Sequence, residues 1–284
     1  MSQATLVKTA QVFDIAYELD NLDSVTKSRL NIQNKNIGTV SAHVIAKEHE
    51  NLENIEHNKV SPLTQRIIDH MLTKHLEFNE MLVEKLEQGK ITKESYIRYL
   101  IQAWYHTRYT PEFEAKFGEK LAEYIKSKTS TQFEKGNKFI MLVEAGVDEE
   151  AGHELWAIQD LQKLGVTHFD KVNDVFAESK ALIATQFDRL NRLNFKGFLG
   201  YSFYLEFWVA KYSEFQLELL TSQGFDRTCQ SFIYNHYVVD QGHAQDNIEL
   251  LNFLIETEDD LEEVIENMDI IHLLYSGIVN KAFS

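Results

Sequence analysis

From Pro62 onward apolar residues recur three and four positions apart, the spacing that lines one face of a helix. Ile67, Ile68, Met71, Leu72, Leu76, Phe78, Met81, Leu82 and Leu86 trace the first such stripe. Ser61 stands where an N-cap is wanted, Pro62 fits the first helical position, and Gly89 ends the run. Thr92 can cap a second helix through Tyr96, Tyr99, Leu100, Trp104 and Tyr105, and Pro111 starts a third with Phe113, Phe117, Leu121 and Tyr124. Polar Ser127 to Thr131 predicts a loop. The pattern then predicts a helix from Phe139 through Gly146 that carries Glu150 and His153 and stops near Gly165. Further helices are expected over 168–191, 201–220, 225–255 and 259–282, with Gly197, Gly200 and Gly224 as punctuation.

The first sixty residues lack such a stripe. They mix a short apolar run, Ala10 to Tyr17, with polar stretches, and place His43, His49 and His57 among Glu48, Glu50, Glu53 and Glu56. Residues 1–60 therefore read as an N-terminal extension, a solvated helix or arm, ahead of an all-α domain over 61–284.

With only 2 prolines and 12 glycines, little interrupts long helices, and an all-β fold is disfavoured. The single cysteine, Cys229, excludes an intramolecular disulfide, a four-cysteine zinc site and a protein-ligated iron–sulfur cluster. It suits a reducing compartment, and a cytoplasmic location is expected. A net charge of -16 argues against a nucleic-acid partner. No run of about 20 apolar residues predicts a membrane span, and the first residues lack the basic start and apolar core of a secretory signal.

Candidate chemistry concentrates in the helix expected over 225–255. His236, Asp240 and His243 stand at offsets of four, three and seven, which put two imidazoles and a carboxylate on one helical face. Glu150 and His153 form a Glu-x-x-His pair upstream, and Glu206 sits within an apolar helix where a buried acid needs a cation or a metal. Inward-facing sets of this kind build di-iron or di-manganese centres in helical bundles. Hard oxygen and imidazole donors without thiolate suit such ions. Taken singly, Glu150–His153 also fits a surface ion pair, and Glu206 a buried salt bridge to Lys211. His70, His75 and His272 read as core or surface histidines, and His106 as a residue that faces a cavity.

Several stretches resemble a known family. Phe78 to Ala103 resembles the first helix pair of haem-oxygenase-like and TenA-like proteins. Glu149 to Gly165 is similar to the metal-binding segment of haem-oxygenase-like di-iron oxidases, Leu199 to Glu206 to their glutamate helix, and His236-x-x-x-Asp240-x-x-His243 to their final ligand helix. The resemblance spans roughly residues 62–255 and implies a haem-oxygenase-like helical bundle. It implies two iron ions held by Glu150, His153, Glu206, His236, Asp240 and His243, with dioxygen as co-substrate and a small amino-acid- or fatty-acid-like substrate. Manganese fits the same donors. Some members add a glutamate from an earlier helix, for which Glu112, Glu114 and Glu144 are candidates. An external electron donor and a homodimer are compatible with this reading.

Four alternatives stand beside it. A ferritin-like carboxylate protein would pair Glu150–His153 with Asp240–His243 and leave His236 as an extra. A TenA-type hydrolase would need a nucleophilic cysteine on the glutamate helix, where Cys229 does not lie, and a haem protein would need an axial His70 or His75. A metal-binding protein without catalysis is the non-enzymatic alternative.

Overall fold

The computed structural model describes residues 12–39 and 60–284. Two short strands, β1 (Val12–Asp14) and β2 (His168–Asp170), accompany eleven α-helices in these residues: α1 (Ile15–Asp20), α2 (Ser24–Thr39), α3 (Pro62–Glu87), α4 (Lys93–Thr107), α5 (Thr110–Lys126), α6 (Ser130–Glu150), α7 (Glu154–Lys163), α8 (Ala177–Arg192), α9 (Leu199–Ser222), α10 (Ser231–Leu254) and α11 (Glu258–Ala282). The all-α expectation and the start signals hold. Ser61 Oγ accepts the Thr64 N–H at 3.1 Å, and Thr92 closes a capping box with Ser95.

The bundle centres on α9 and α10, which pack along their lengths, with α11 against α9 and α3 against α11. Gly200 is needed for the α9–α11 contact, since a Cβ there would lie 2.3 Å from the Val264 carbonyl oxygen. Phe78, Phe113, Phe117, Trp156, Phe203 and Phe207 fill the interior between helices. Each fully buried apolar side chain stabilises the fold by roughly 1.5–3 kcal/mol.

Three helix expectations and one loop expectation are corrected. The helix expected to carry both Glu150 and His153 is two helices, because α6 ends at Glu150 and Gly152 turns the chain at φ +103° before α7. Region 168–191 is not one helix: residues 168–170 pair with β1 in the register Val12↔Asp170, Phe13↔Phe169, Asp14↔His168, and α8 starts only at Ala177. The loop expected at Ser127 to Thr131 is shorter, since α6 begins at Ser130. The helix expected from Phe225 starts at Ser231, after a 3-10 turn at Arg227–Cys229.

Described residues of the N-terminal region pack on the bundle. Phe13 sits between Trp104 and Phe169 at centroid distances of 4.8 and 4.9 Å, and Ile15 is buried. On α2, Arg29 pairs with Asp148 at 3.1 Å, and Gln33 Nε2 donates to the Glu149 carbonyl at 2.8 Å, so this helix lies over the α6–α7 junction. His43, His49 and His57 lie outside the described residues.

Candidate metal centre

The α6–α7 junction faces one side of α10. Glu150, the last residue of α6, reaches His153 across the turn, Oε2 to Nδ1 at 3.2 Å. Its other oxygen, Oε1, lies 3.5 Å from His243 Nδ1. His243 Nδ1 is also 3.3 Å from Asp240 Oδ1 on its own helix, and its Nε2 is 3.5 Å from Glu149 Oε2. Among the described residues, two groups offer three donor atoms mutually within 4.8 Å: Glu150–His153–His236 and Glu150–Asp240–His243. Glu150 belongs to both.

The helical face predicted for α10 is real, and its anchoring is visible. Asp160 on α7 accepts the backbone N–H groups of Ser231 and Phe232, each at 2.9 Å, and so caps α10 at its first turn. One turn later His236 Nδ1 donates to the Phe232 carbonyl at 2.8 Å, leaving Nε2 as the free lone pair. The His153 ring stacks on Trp156 at 4.0 Å and meets His236 edge-on at 5.1 Å.

Glu206 approaches from α9. Its carboxylate accepts from Ser202 Oγ at 3.1 Å and from Asn247 Nδ2 at 2.6 Å. Glu112 and Glu144 are exposed, so the structure separates them from the cluster. Glu114 differs from them: its Oε2 is buried without a hydrogen-bond partner, and it interacts electrostatically with Glu150 and Glu206. Glu149 next to His243 is a contact that the sequence reading missed, since it falls outside the Glu-x-x-His spacing.

The electrostatics are those of a crowded, half-paired acid cluster. Burial pushes Glu206 up to about 8 and Asp240 up to about 6, and burial together with Glu150 and Glu206 raises Glu114 well above the carboxylate range. Burial would raise Glu150 too, but His153, His243 and His236 outweigh it and hold Glu150 at about 2. Burial works against a charged His243, yet Asp240, Glu149, Glu206 and Glu150 raise it well above its ordinary value. Burial pushes His236 down to about 3, so its ring stays neutral.

Two cavities meet at this cluster. One, a narrow space, is lined by Glu150, Glu206, His236 and Asp240 and by His106, as expected for that histidine. The other, wider one is lined by Glu114, Glu149, Glu206 and His243. Among the aromatics near the cluster, Tyr201 and Trp208 face the first cavity. Trp104 instead packs on Phe13, Tyr204 on His75, and Tyr237 lines a separate groove beside Glu214.

The alternatives find little support here. Cys229 is buried, donates to the Asp226 carbonyl at 3.0 Å, and has its thiol pushed up by burial, none of which activates a nucleophile. His75 Nε2 is bonded to the Tyr204 carbonyl at 2.9 Å, and the partly exposed His70 pairs through Nε2 with Asp269 at 2.8 Å.

A helical bundle with histidines and carboxylates converging on its interior defines the class of helical proteins with a candidate metal centre. Residues 97–275 match the model of a family described as iron-containing redox enzymes, and the chain belongs to that family. The fold is shared with a domain of unknown function with a haem-oxygenase-like fold from Shewanella denitrificans OS217. That structure is 22% identical, with a TM-score of 0.61, over 74% of this chain and 89% of that one. A TenA homologue from Pseudomonas syringae pv. tomato strain DC3000 is 14% identical, with a TM-score of 0.58, over 78% of this chain and 94% of that one. No curated protein matches the sequence significantly. Among the described residues no helix is long and apolar enough to cross a membrane.

Proposed function

We propose that this protein is a non-haem di-iron oxidoreductase that uses dioxygen to oxidise a small organic molecule. The carrying observation is Glu150, which belongs to both donor groups and turns one oxygen toward each. A carboxylate so placed is suited to bridge two cations. His153 and His236 complete one side, Asp240 and His243 the other, and Glu206 closes the set from the facing helix. Glu114 is the seventh candidate; Glu112 and Glu144 point elsewhere.

The residues present fit two hard cations. Both ring nitrogens of His153, Asp240 Oδ1 and Glu114 Oε2 are buried without a well-aligned hydrogen bond. Each such atom costs about 1–3 kcal/mol unless something else satisfies it. The donors are imidazole nitrogens and carboxylate oxygens with no thiolate, the chemistry of iron or manganese sites.

Bound iron would supply the binding and reduction of dioxygen, which the side chains alone cannot perform. The chain's residues set the conditions. The Phe232 carbonyl fixes the His236 tautomer and ring direction. Ser202 and Asn247 hold Glu206, and the Asp160 cap positions the start of α10. Trp156 and Phe232 pack on His236 at 5.0 and 4.5 Å and shield that side from water. The cavity bounded by Glu206, His236 and Tyr201 is where the substrate would lie. An external electron donor belongs to this proposal.

Anaerobic loading with ferrous iron followed by elemental analysis tests the reading. Two irons per chain are expected in the wild type, with a large loss in Glu150→Ala. Mixing the loaded protein with oxygen should oxidise the iron faster than free ferrous ion. Less than one ion per chain in the wild type sinks the di-iron reading, and tight binding with no acceleration leaves a metal-binding protein without catalysis.

A further inference from the structure

The cavity beside the cluster does not end there. A second, narrow apolar pocket shares Tyr99, Trp208, Gln216, Ile233 and Tyr275 with it. Its remaining walls are hydrocarbon and aromatic, among them Phe78, Leu82, Leu220, Val279 and Phe283. The two spaces thus lie on either side of, or around, the same five side chains. They run along one face of α9, where Glu206, Val209, Ser213 and Gln216 follow at offsets of three, seven and ten. At the helical rise, Ser213 lies about 10 Å and Gln216 about 15 Å along the axis from Glu206.

Polar atoms without partners interrupt this apolar path. Ser213 Oγ, Gln216 Nε2 and His106 Nε2 are all buried and lack a hydrogen-bond partner, on residues exposed by 0%, 9% and 7%. All three residues line the cavity. Three buried, unpaired polar groups on one cavity wall are costly in an empty protein and useful in a liganded one. None of the three is needed as a metal ligand in the reading above, and Ser213 and Gln216 stand two and three helical turns from Glu206.

We propose that the two spaces form one channel for a slender, mostly apolar molecule with a single hydrogen-bonding group in mid-chain. Ser213 and Gln216, assisted by His106 from α4, read that group. One end lies beside Glu206 and His236, and the hydrocarbon tail fills the pocket between Phe78, Leu220 and Phe283. The polar mid-chain group fixes how deep the chain slides, and hence which carbon stops beside the cluster. A plain hydrocarbon chain would leave the three polar atoms unpaired, so the channel discriminates against it. That the near end is the reacting end rests on the di-iron reading; the binding itself does not.

The test uses the metal-free full chain and two neutral, unbranched probes of equal length. One is N-octyl-octanamide with a terminal hydroxyl, which carries a secondary amide in mid-chain. The other is the saturated alcohol with methylenes in place of the amide. Calorimetry gives affinities, and quenching of tryptophan fluorescence reports occupancy, because Trp208 lines both spaces. The amide is expected to bind at least tenfold more tightly than the alcohol. Gln216→Leu should weaken the amide about tenfold and leave the alcohol unchanged or tighter, and Ser213→Ala, a milder change, should do the same to a smaller degree. Val279→Phe, which fills the far pocket, should weaken both probes.

Equal affinity for the two probes, or an equal effect of Gln216→Leu on both, would mean that water satisfies these groups and would overturn the proposal. Absence of binding to the wild type overturns it as well. Iron stoichiometry is read separately: probe binding without iron binding sinks only the di-iron reading, and iron binding without probe binding sinks only this one.

Discussion

Glu150 and His153 meet at 3.2 Å across a break between two helices, not along the face of one. The break rests on Gly152, whose φ of +103° is a conformation that side-chain-bearing residues rarely adopt. Gly152→Ala should therefore destabilise the metal-free protein by about 1–3 kcal/mol, the cost of a non-glycine residue in such a conformation. Because the turn aims both residues, iron affinity should fall as well. Urea unfolding and iron titration check the two effects, and an unchanged iron affinity would show that the turn does not set the geometry.

Glu206 shares its surroundings with Asp240 and Glu150, whose charges help to raise it. Relieving that crowding should help the empty protein. Metal-free Glu206→Gln is expected to melt at or above the wild type, since an amide adds no charge, its oxygen still accepts from Asn247 Nδ2, and its nitrogen can donate to Ser202 Oγ. The same change should weaken iron binding markedly. A large fall in melting temperature of the metal-free variant would make Glu206 a structural residue instead.

The cap on α10 gives a separate handle on the centre. Asp160→Ala leaves the Ser231 and Phe232 N–H groups without their acceptor. Loss of such a cap costs about 0.5–2 kcal/mol. The first turn of α10, which supplies the carbonyl that orients His236, should loosen in consequence. Equilibrium unfolding together with hydrogen exchange at residues 231–236 measures both. Normal exchange protection there would show that α10 holds its end without Asp160.

His75 predicts part of the pH dependence. Burial pushes it down to about 3, while in the unfolded chain its ordinary value is 6.5. Its contribution is fully present above pH 6.5. As the pH falls toward 3 the unfolded chain takes up the proton and the folded chain does not, so stability is lost through that window. The slope is about 1.4 kcal/mol per pH unit, or roughly 2 kcal/mol by pH 5. His75→Gln removes this titration, so the gap between wild type and variant should shift by about that amount between pH 7.5 and pH 5. Parallel pH profiles would show that His75 is protonated in the folded state.

The sequence by itself determined the helical class, most helix starts and which donor side chains share one face of α10. These are local properties: Ser61, Thr92 and Pro111 act within one turn, and a helix fixes where residues four and seven apart must point. His236, Asp240 and His243 were legible for that reason. The same local reading treated Glu150 and His153 as one helical face, because the positive φ of Gly152 leaves no mark in the apolar periodicity. It also read a helix across His168–Asp170, whose strand pairing depends on a partner 158 positions away in the register Val12↔Asp170.

Only the tertiary structure decided the rest, because it depends on which helices face each other. Glu114, Glu112 and Glu144 were equal candidates along the chain; packing of α5 against α6 buries Glu114 Oε2 beside the cluster and leaves the other two exposed. Glu206 stood out as an acid on an apolar helix, but Asn247 as its partner required the contact of α9 with α10, whereas Ser202 lies one turn back on its own helix. Ser213 and Gln216 carry no sequence signal, since a polar residue on a helix is ordinarily solvated. They become informative only when packing seals them in a cavity with no partner, where an unmade hydrogen bond has a free-energy cost that a ligand can remove.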